Sequence, residues 1–214
     1  MPAGPRRRGD YMSHADPAPS YSHQYYDKHF QIMAVKVFPG EFHATNQPRL
    51  LVTLLGSCVS VCLSDRLSGV AGMNHFLLPE GSLELGSGAS AARFGVNAME
   101  LLITDMQKLG AMRNRLEAKI FGAGNVLDGM TMVRVGERNS HFIRTYLANE
   151  QIPILAEDLL GEYARKVYFF TETGKVLIKK LKRTSAAIKQ EQPYRGRIVD
   201  QNEGARTGDI DLFI

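Results

Sequence analysis

The feature that most constrains the fold is a series of short apolar segments interrupted by turn residues. Residues 50–55 (LLVTLL) are followed by Gly56-Ser57, and residues 58–63 (CVSVCL) are followed by a polar turn and a further apolar segment at 70–78. Segments of this length, rich in β-branched residues and bounded by glycine, are typical of strands. Residues 32–38, which end at Pro39-Gly40, predict an earlier strand. The fold therefore begins with β-structure.

Helical spacing follows later in the chain. Residues 90–109 place apolar side chains at helical intervals and stop before Gly110, which predicts an amphipathic helix, and residues 138–150 predict a second one. Further strands are predicted at 118–121, 154–158, 166–171 and 175–181. This order predicts an α/β fold, a single-domain layered sandwich with a mixed or antiparallel sheet.

The two ends of the chain differ from its middle in composition. Residues 1–31 contain many Pro, Ser, His and Tyr residues without periodicity, which predicts a disordered N-terminal arm. From residue 184 the chain becomes polar until the final segment DIDLFI, which predicts a flexible C-terminal tail at 184–214. We therefore expect one domain at 32–183.

Composition also argues against several functional classes. The chain is 44% hydrophobic and 22% charged, which is typical of globular proteins, and no apolar run is long enough to cross a bilayer. No apolar segment follows the basic N-terminus, so we expect a cytoplasmic protein. The net charge of +4 without a recognition motif argues against nucleic-acid binding. The six histidines and two cysteines lack metal-ligand spacing, and we expect no metal and no cofactor.

The two segments around the turn at 64–69 predict a hairpin that joins a thiol to an imidazole. If the turn is centred between Arg66 and Leu67, Cys58 lies opposite His75 on one face of the hairpin. A shift of one residue would move every side chain to the other face. The catalytic cysteine and histidine would then lie on adjacent strands.

Such a pair has the chemistry of a thiol hydrolase. An imidazole beside a thiol converts it to a nucleophilic thiolate. Gly56 and Ser57 form a turn just before Cys58 whose amides are candidates for an oxyanion site, and Thr53 is the nearest polar residue that can orient the histidine. Taken singly, a cysteine or histidine among apolar residues is more often part of the core, and this is our interpretation of Cys62.

At these residues the sequence resembles the CheD family of chemoreceptor glutamine deamidases. The similarity lies in LLGSCVSVCLSD (54–65) and GMNHFLLP (72–79), with PGE at 39–41. It continues through MQKLGAMRNRLEAKIFG (106–122), VGERNSHFIRTYLANEQI (135–152) and DLLGEYARKVYFFTETGKV (158–176). It thus covers about 35–182, and Gly-Ser-Cys with a histidine seventeen residues later is its most specific part.

The resemblance implies that the chain hydrolyses glutamine side chains of methyl-accepting chemotaxis receptors to glutamate, which releases ammonia. A side activity on glutamyl methyl esters of the receptors is also implied. The resemblance gives Cys58 as the nucleophile, His75 as the base and a threonine as third member. Family members carry that threonine five or six residues before the cysteine, where this chain has Thr53 and Val52, and strand parity favours Thr53. Receptor helices and a CheC-type phosphatase are the implied partners.

Two other functions remain open at the sequence level. The chain can act as an adaptor that docks receptors or a CheC-type phosphatase with little catalysis. A general cysteine protease is a poorer alternative, because papain-like enzymes separate cysteine and histidine by a much longer stretch. Among the supporting residues, Arg138 and Asn139 are predicted to cap the second helix. Asp158 and Gly161 are predicted to form a turn at a strand end.

Overall fold

The computed structural model describes residues 23–78, 88–126, 130–181 and 209–213. The elements in chain order are listed here: β1 (Gln24–Asp27), β2 (Ile32–Lys36), β3 (Phe42–Thr45), β4 (Leu50–Leu55), β5 (Val59–Asp65), β6 (Val70–Asn74), α1 (Gly88–Lys108), a 3₁₀ turn (Arg113–Arg115), β7 (Glu117–Gly122), α2 (Met130–Asn149), β8 (Ile154–Leu159), β9 (Ala164–Phe170), β10 (Val176–Leu181) and β11 (Asp209–Phe213).

The strands form two sheets that pack face to face. The outer sheet has the order β1-β2-β4-β9-β10-β11, and the inner sheet has the order β3-β6-β5-β7-β8. Pairing is antiparallel except for β2 with β4 and β7 with β8. The predicted layered α/β sandwich with mixed pairing is confirmed.

The side-chain alternation of β5 explains the order of the layers. Val59, Val61 and Leu63 belong to a core that contains apolar side chains of α1 and α2, whereas Cys58 and Cys62 belong to the core between the two sheets. Successive side chains of a strand point to opposite faces, so one strand contributes to both cores. The inner sheet is therefore the middle layer, with the helices on one side and the outer sheet on the other.

Three differences from the sequence prediction concern the ends of elements. Strand β1 lies inside the arm predicted at 1–31, because Gln24–Asp27 pairs with β2 as a hairpin. Strand β11 lies inside the tail predicted at 184–214, where Asp209–Phe213 pairs antiparallel with β10. Helix α2 begins at Met130, eight residues before the predicted start. Arg138 and Asn139 therefore lie in the interior of the helix, and the prediction that they cap it is wrong.

Candidate active site at the junction of the two sheets

The alternation of β4 places Thr53 between the sheets. Leu51 and Leu55 belong to the core between the sheets, and Val52 belongs to a separate cluster on the far face of the outer sheet. Thr53 shares the parity of Leu51 and Leu55, so its side chain is directed toward the inner sheet. It is 4% exposed. Thr53 and not Val52 is the residue next to the predicted histidine.

Two short contacts of Thr53 define the state of the His75 ring. The Thr53 Oγ1 atom lies 2.7 Å from the Val37 carbonyl oxygen and 2.7 Å from His75 Nδ1. A hydroxyl has one proton, and a carbonyl oxygen only accepts, so Thr53 donates to Val37 and accepts from Nδ1–H. The lone pair of the neutral imidazole is then on Nε2. Nε2 is buried and has no hydrogen-bond partner among the described residues.

Hydrogen bonds hold the backbone around His75 from two sides. The His75 N–H donates to the Glu41 carbonyl (2.9 Å), and the His75 carbonyl accepts from the Gly40 N–H (2.7 Å). Toward β5, the side chain of Asn74 accepts from the Val61 N–H (3.0 Å), and its carbonyl accepts from Ser60 Oγ (2.6 Å). His75 is therefore fixed from both neighbouring strands, just after β6 ends.

The register of the hairpin differs from the sequence prediction by two residues. Strands β5 and β6 pair Cys62 with Met73 and Asp65 with Val70, and the bridge between Val59 and Phe76 keeps the same register. The predicted turn centre between Arg66 and Leu67 is therefore wrong. The loop contains four residues, 66–69.

The turn chemistry explains the position of this loop. The Asp65 carboxylate accepts from the N–H groups of Leu67 and Ser68, and Gly69 has a φ of +69°, which glycine adopts without strain. A shift of two residues keeps each side chain on its own face of the strand, so a shared face for Cys58 and His75 stays a prediction. The prediction that the two residues lie directly opposite each other is wrong.

The turn that carries Cys58 is held by its carbonyl groups. Those of Gly56, Ser57 and Cys58 accept hydrogen bonds from Gly124 N–H (2.6 Å), Asn139 Nδ2 (2.9 Å) and Ala123 N–H (2.7 Å), respectively. Three consecutive peptide units are thus attached to the loop after β7 and to α2. The orientation of the backbone at Cys58 is strongly constrained.

The loop after β7 approaches the Cys58 backbone so closely that only glycine fits. A Cβ added to Gly122 would lie 2.2 Å from the Cys58 carbonyl oxygen, and Gly122 has a φ of +114°. The glycines at 122 and 124 were visible in the sequence, but nothing in it indicated that they contact the cysteine turn. This contact was not predicted from the sequence.

A buried ion pair packs behind the loop after β7. Arg165 is completely buried, and its Nη2 atom donates to Asp158 Oδ1 at 2.8 Å and to the Leu160 carbonyl. The Asn125 N–H donates to the Gly161 carbonyl at 2.7 Å, and Gly161 has a φ of +78°. The predicted turn lies at Gly161, whereas Asp158 lies within β8, and both are directly behind the loop that holds Cys58.

Burial shifts the pKa of His75 and that of Cys62. Cys58, His75 and Thr53 are 1%, 2% and 4% exposed. Burial lowers the pKa of His75 from 6.5 to about 4, and the nearby Val37 backbone carbonyl partly opposes this shift. The imidazole is therefore neutral near pH 7, as a proton acceptor must be. Burial raises the pKa of Cys62, which is consistent with an inert core thiol.

A small cavity of about 70 Å³ lies between the inner sheet and α1, on the face of the inner sheet that is turned away from Thr53. Its lining includes Glu41, Phe76, Phe94 and Leu101.

In the part of the chain that the structure describes, no group of three or more His, Cys, Asp or Glu side chains is placed to hold a metal ion. Neither helix is long and apolar enough, over its described residues, to span a membrane.

Comparison with known proteins identifies the family of the chain. The family model described as CheD chemotactic sensory transduction matches residues 77–180. A protein of Chromobacterium violaceum named "Probable chemoreceptor glutamine deamidase CheD 2" is 87% identical over 203 residues, which cover 95% of this chain and 100% of that protein. The chain belongs to the CheD family.

More distant CheD proteins extend the similarity. A Shewanella oneidensis protein named "Probable chemoreceptor glutamine deamidase CheD 1" is 51% identical over 193 residues, which are 89% of this chain and 92% of that protein. Among solved structures, the Bacillus licheniformis hypothetical protein YfiH matches 56% of this chain and 51% of its own, with a TM-score of 0.38 and 14% identity. A structural similarity this low carries no conclusion, and the CheD assignment rests on the sequence relatives.

Proposed function

We propose that this protein is a protein-glutamine glutaminase that converts selected glutamine side chains of methyl-accepting chemotaxis receptors to glutamate. The names of its CheD relatives support the substrate. The observation that carries the chemistry is the 2.7 Å contact between Thr53 Oγ1 and His75 Nδ1, because it leaves the Nε2 lone pair as the proton acceptor of the site. Cys58 is the nucleophile in this proposal.

In the first half of the reaction, His75 Nε2 takes the proton of the Cys58 thiol. The thiolate then attacks the side-chain amide carbon of the glutamine, and the carbonyl oxygen becomes an oxyanion. The amides of the turn formed by Gly56, Ser57 and Cys58 are the candidate donors to that oxygen. Hydrogen bonds of this kind often tighten only when the substrate is bound.

In the second half, the imidazolium returns its proton to the amide nitrogen, and ammonia leaves. A thioester between Cys58 and the glutamyl carbonyl remains. A water molecule gives a proton to His75 Nε2 and attacks the thioester, and glutamate leaves as the thiol is reformed. Thr53 keeps Nδ1 protonated throughout and so holds Nε2 in the role of acid and base.

The proposal includes a cellular setting. The substrates are glutamines on the cytoplasmic helices of the receptors, so the protein acts in the cytoplasm without inserting into the membrane. A CheC-type phosphatase is a further proposed partner, and the glutamyl methyl esters of the same receptors are proposed as minor substrates. The family model and the names of the relatives support the chemoreceptor setting, and the phosphatase partner and the ester substrates follow from the resemblance of the sequence to the CheD family.

Ammonia release from a receptor cytoplasmic fragment tests the proposal. Cys58→Ala is expected to abolish the release, whereas Cys62→Ala, which removes the other buried thiol, is expected to retain it. Urea unfolding of both variants controls for stability, because both lose one buried sulfur atom from the same core. Ammonia release by Cys58→Ala at the wild-type rate would contradict the proposed nucleophile.

A further inference from the structure

The side chain of Asn139 connects the two catalytic segments. It is completely buried and lies in the interior of α2. Its Nδ2 atom donates to the Ser57 carbonyl at 2.9 Å, and its Oδ1 atom accepts from the Leu78 N–H at 3.2 Å. Ser57 directly precedes the nucleophile, and Leu78 lies three residues after the base. One amide group thus joins the nucleophile turn to the end of the base segment.

The bond to Ser57 determines where the amide of the nucleophile points. The Ser57 carbonyl and the Cys58 N–H belong to one planar trans peptide unit, in which these two groups point in opposite directions. Because Asn139 fixes the carbonyl on the α2 side, the Cys58 N–H is directed away from α2. The carbonyls of Gly56 and Cys58 are fixed by residues 123–124, so the peptide unit between them is free to tilt only by breaking the Asn139 bond.

Thiol hydrolysis needs a donor in that position. The oxyanion is the oxygen attached to the carbon that the nucleophile attacks. The amide N–H of the nucleophilic residue is a common donor to this oxygen. We propose that Asn139 is a positioning residue that holds the Ser57–Cys58 peptide in the orientation in which the Cys58 N–H stabilises the oxyanion. This inference rests on the proposed deamidase function.

The role requires a side chain that donates and accepts at once. A neutral carboxamide offers both an NH₂ group and an oxygen. An ionised carboxylate accepts only, so it keeps the bond to Leu78 and repels the Ser57 carbonyl. A protonated carboxyl again does both. Burial raises the pKa of a carboxyl group, so Asn139→Asp is expected to act as a switch in which activity returns as the pH falls.

The test compares two reactions of the same thiol. Deamidation of a receptor fragment builds up an oxyanion, whereas alkylation of Cys58 by iodoacetamide does not. Asn139→Ala is expected to lower kcat by about 10- to 100-fold with little change in KM, since removal of one oxyanion donor lowers kcat by about 100- to 1,000-fold. The alkylation rate and its pH profile are expected to stay near those of the wild type.

Two further variants make the test specific. Ser140→Ala removes a buried hydrogen bond to Glu137 within the same helix and is expected to leave both reactions unchanged. Asn139→Asp is expected to be slow at about pH 8 and to recover toward wild-type kcat near pH 5, which Asn139→Ala cannot do. If Asn139→Ala does not fold, the pH profile of Asn139→Asp alone decides.

The outcomes separate the inference from the function on which it rests. Wild-type kcat in Asn139→Ala, or a pH-independent Asn139→Asp, would overturn the role of Asn139 alone. A parallel fall of deamidation and alkylation would also overturn it, because it would indicate a loosened thiol instead of a misdirected N–H. A wild-type protein that alkylates normally but never deamidates receptor fragments would overturn the proposed function, and the inference with it.

Discussion

Replacing His75 with asparagine is expected to reduce the loss of stability that acid causes. The unfolded chain binds a proton at His75 near pH 6.5, whereas burial delays protonation of the folded protein to about pH 4. Between these values acid protonates the unfolded state preferentially, so the stability present above pH 6.5 is lost as the pH falls toward 4. Asparagine does not titrate, and its amide nitrogen takes the position of Nδ1 and can still donate to Thr53.

The pKa difference sets the size of the effect. A lowering from 6.5 to about 4 corresponds to about 3 kcal/mol when protonation is complete. The same relation gives about 2 kcal/mol between pH 7.5 and pH 5. Other groups also titrate over this range, but they are common to the wild type and the variant. The difference between the two proteins therefore isolates the contribution of His75.

Urea unfolding at about pH 7.5 and pH 5 measures this difference. The wild type is expected to lose about 2 kcal/mol more unfolding free energy than His75→Asn over that interval. The matched control is His29→Asn, which makes the same substitution at a histidine that is exposed in the turn after β1. An equal loss in wild type and His75→Asn would refute the neutral, desolvated imidazole on which the mechanism depends.

Three other predictions concern Thr53, the two cysteines and Arg165. Thr53→Val removes the hydroxyl but keeps the shape, and it is expected to lower kcat by about 10- to 100-fold, since an unsatisfied buried N–H costs about 1–3 kcal/mol. Val52→Ala, on the far face of the same strand, should keep the wild-type kcat. Iodoacetamide is expected to modify Cys58 but not Cys62 in the native protein, as peptide mapping will show; equal labelling would contradict the inert core thiol. Arg165→Met leaves the Asp158 carboxylate without its buried partner and is expected to cost about 3–5 kcal/mol in urea unfolding. A loss under about 1 kcal/mol would show that the pair does not support the loop.

The parity of the strands was readable from the sequence because a strand has a fixed period of two. The alternation LLVTLL places Thr53 with Leu51 and Leu55, and the structure has all three between the sheets. The hairpin register was not readable. It depends on where the loop is centred, and the Asp65 hydrogen bonds that fix the loop at 66–69 are visible only in the structure.

Asn139 and three of the strands could not be predicted from the sequence, for a different reason. Asn139 is far from Ser57 in the sequence, and only the packing of α2 against the end of the inner sheet brings them together. Strand β3, with only four residues, lacks enough alternation to be recognised. Strands β1 and β11 pair at the edges of the outer sheet, where polar residues are tolerated and the apolar pattern is weak.

Mass spectrometry of receptor cytoplasmic fragments tests the central claim most directly. Fragments incubated with the wild-type protein are expected to show the mass change of glutamine to glutamate at particular sites. Fragments incubated with Cys58→Ala are expected to remain unmodified at those sites, although the variant still folds. The account would be contradicted if both proteins gave the same modification, or if the folded wild type gave none.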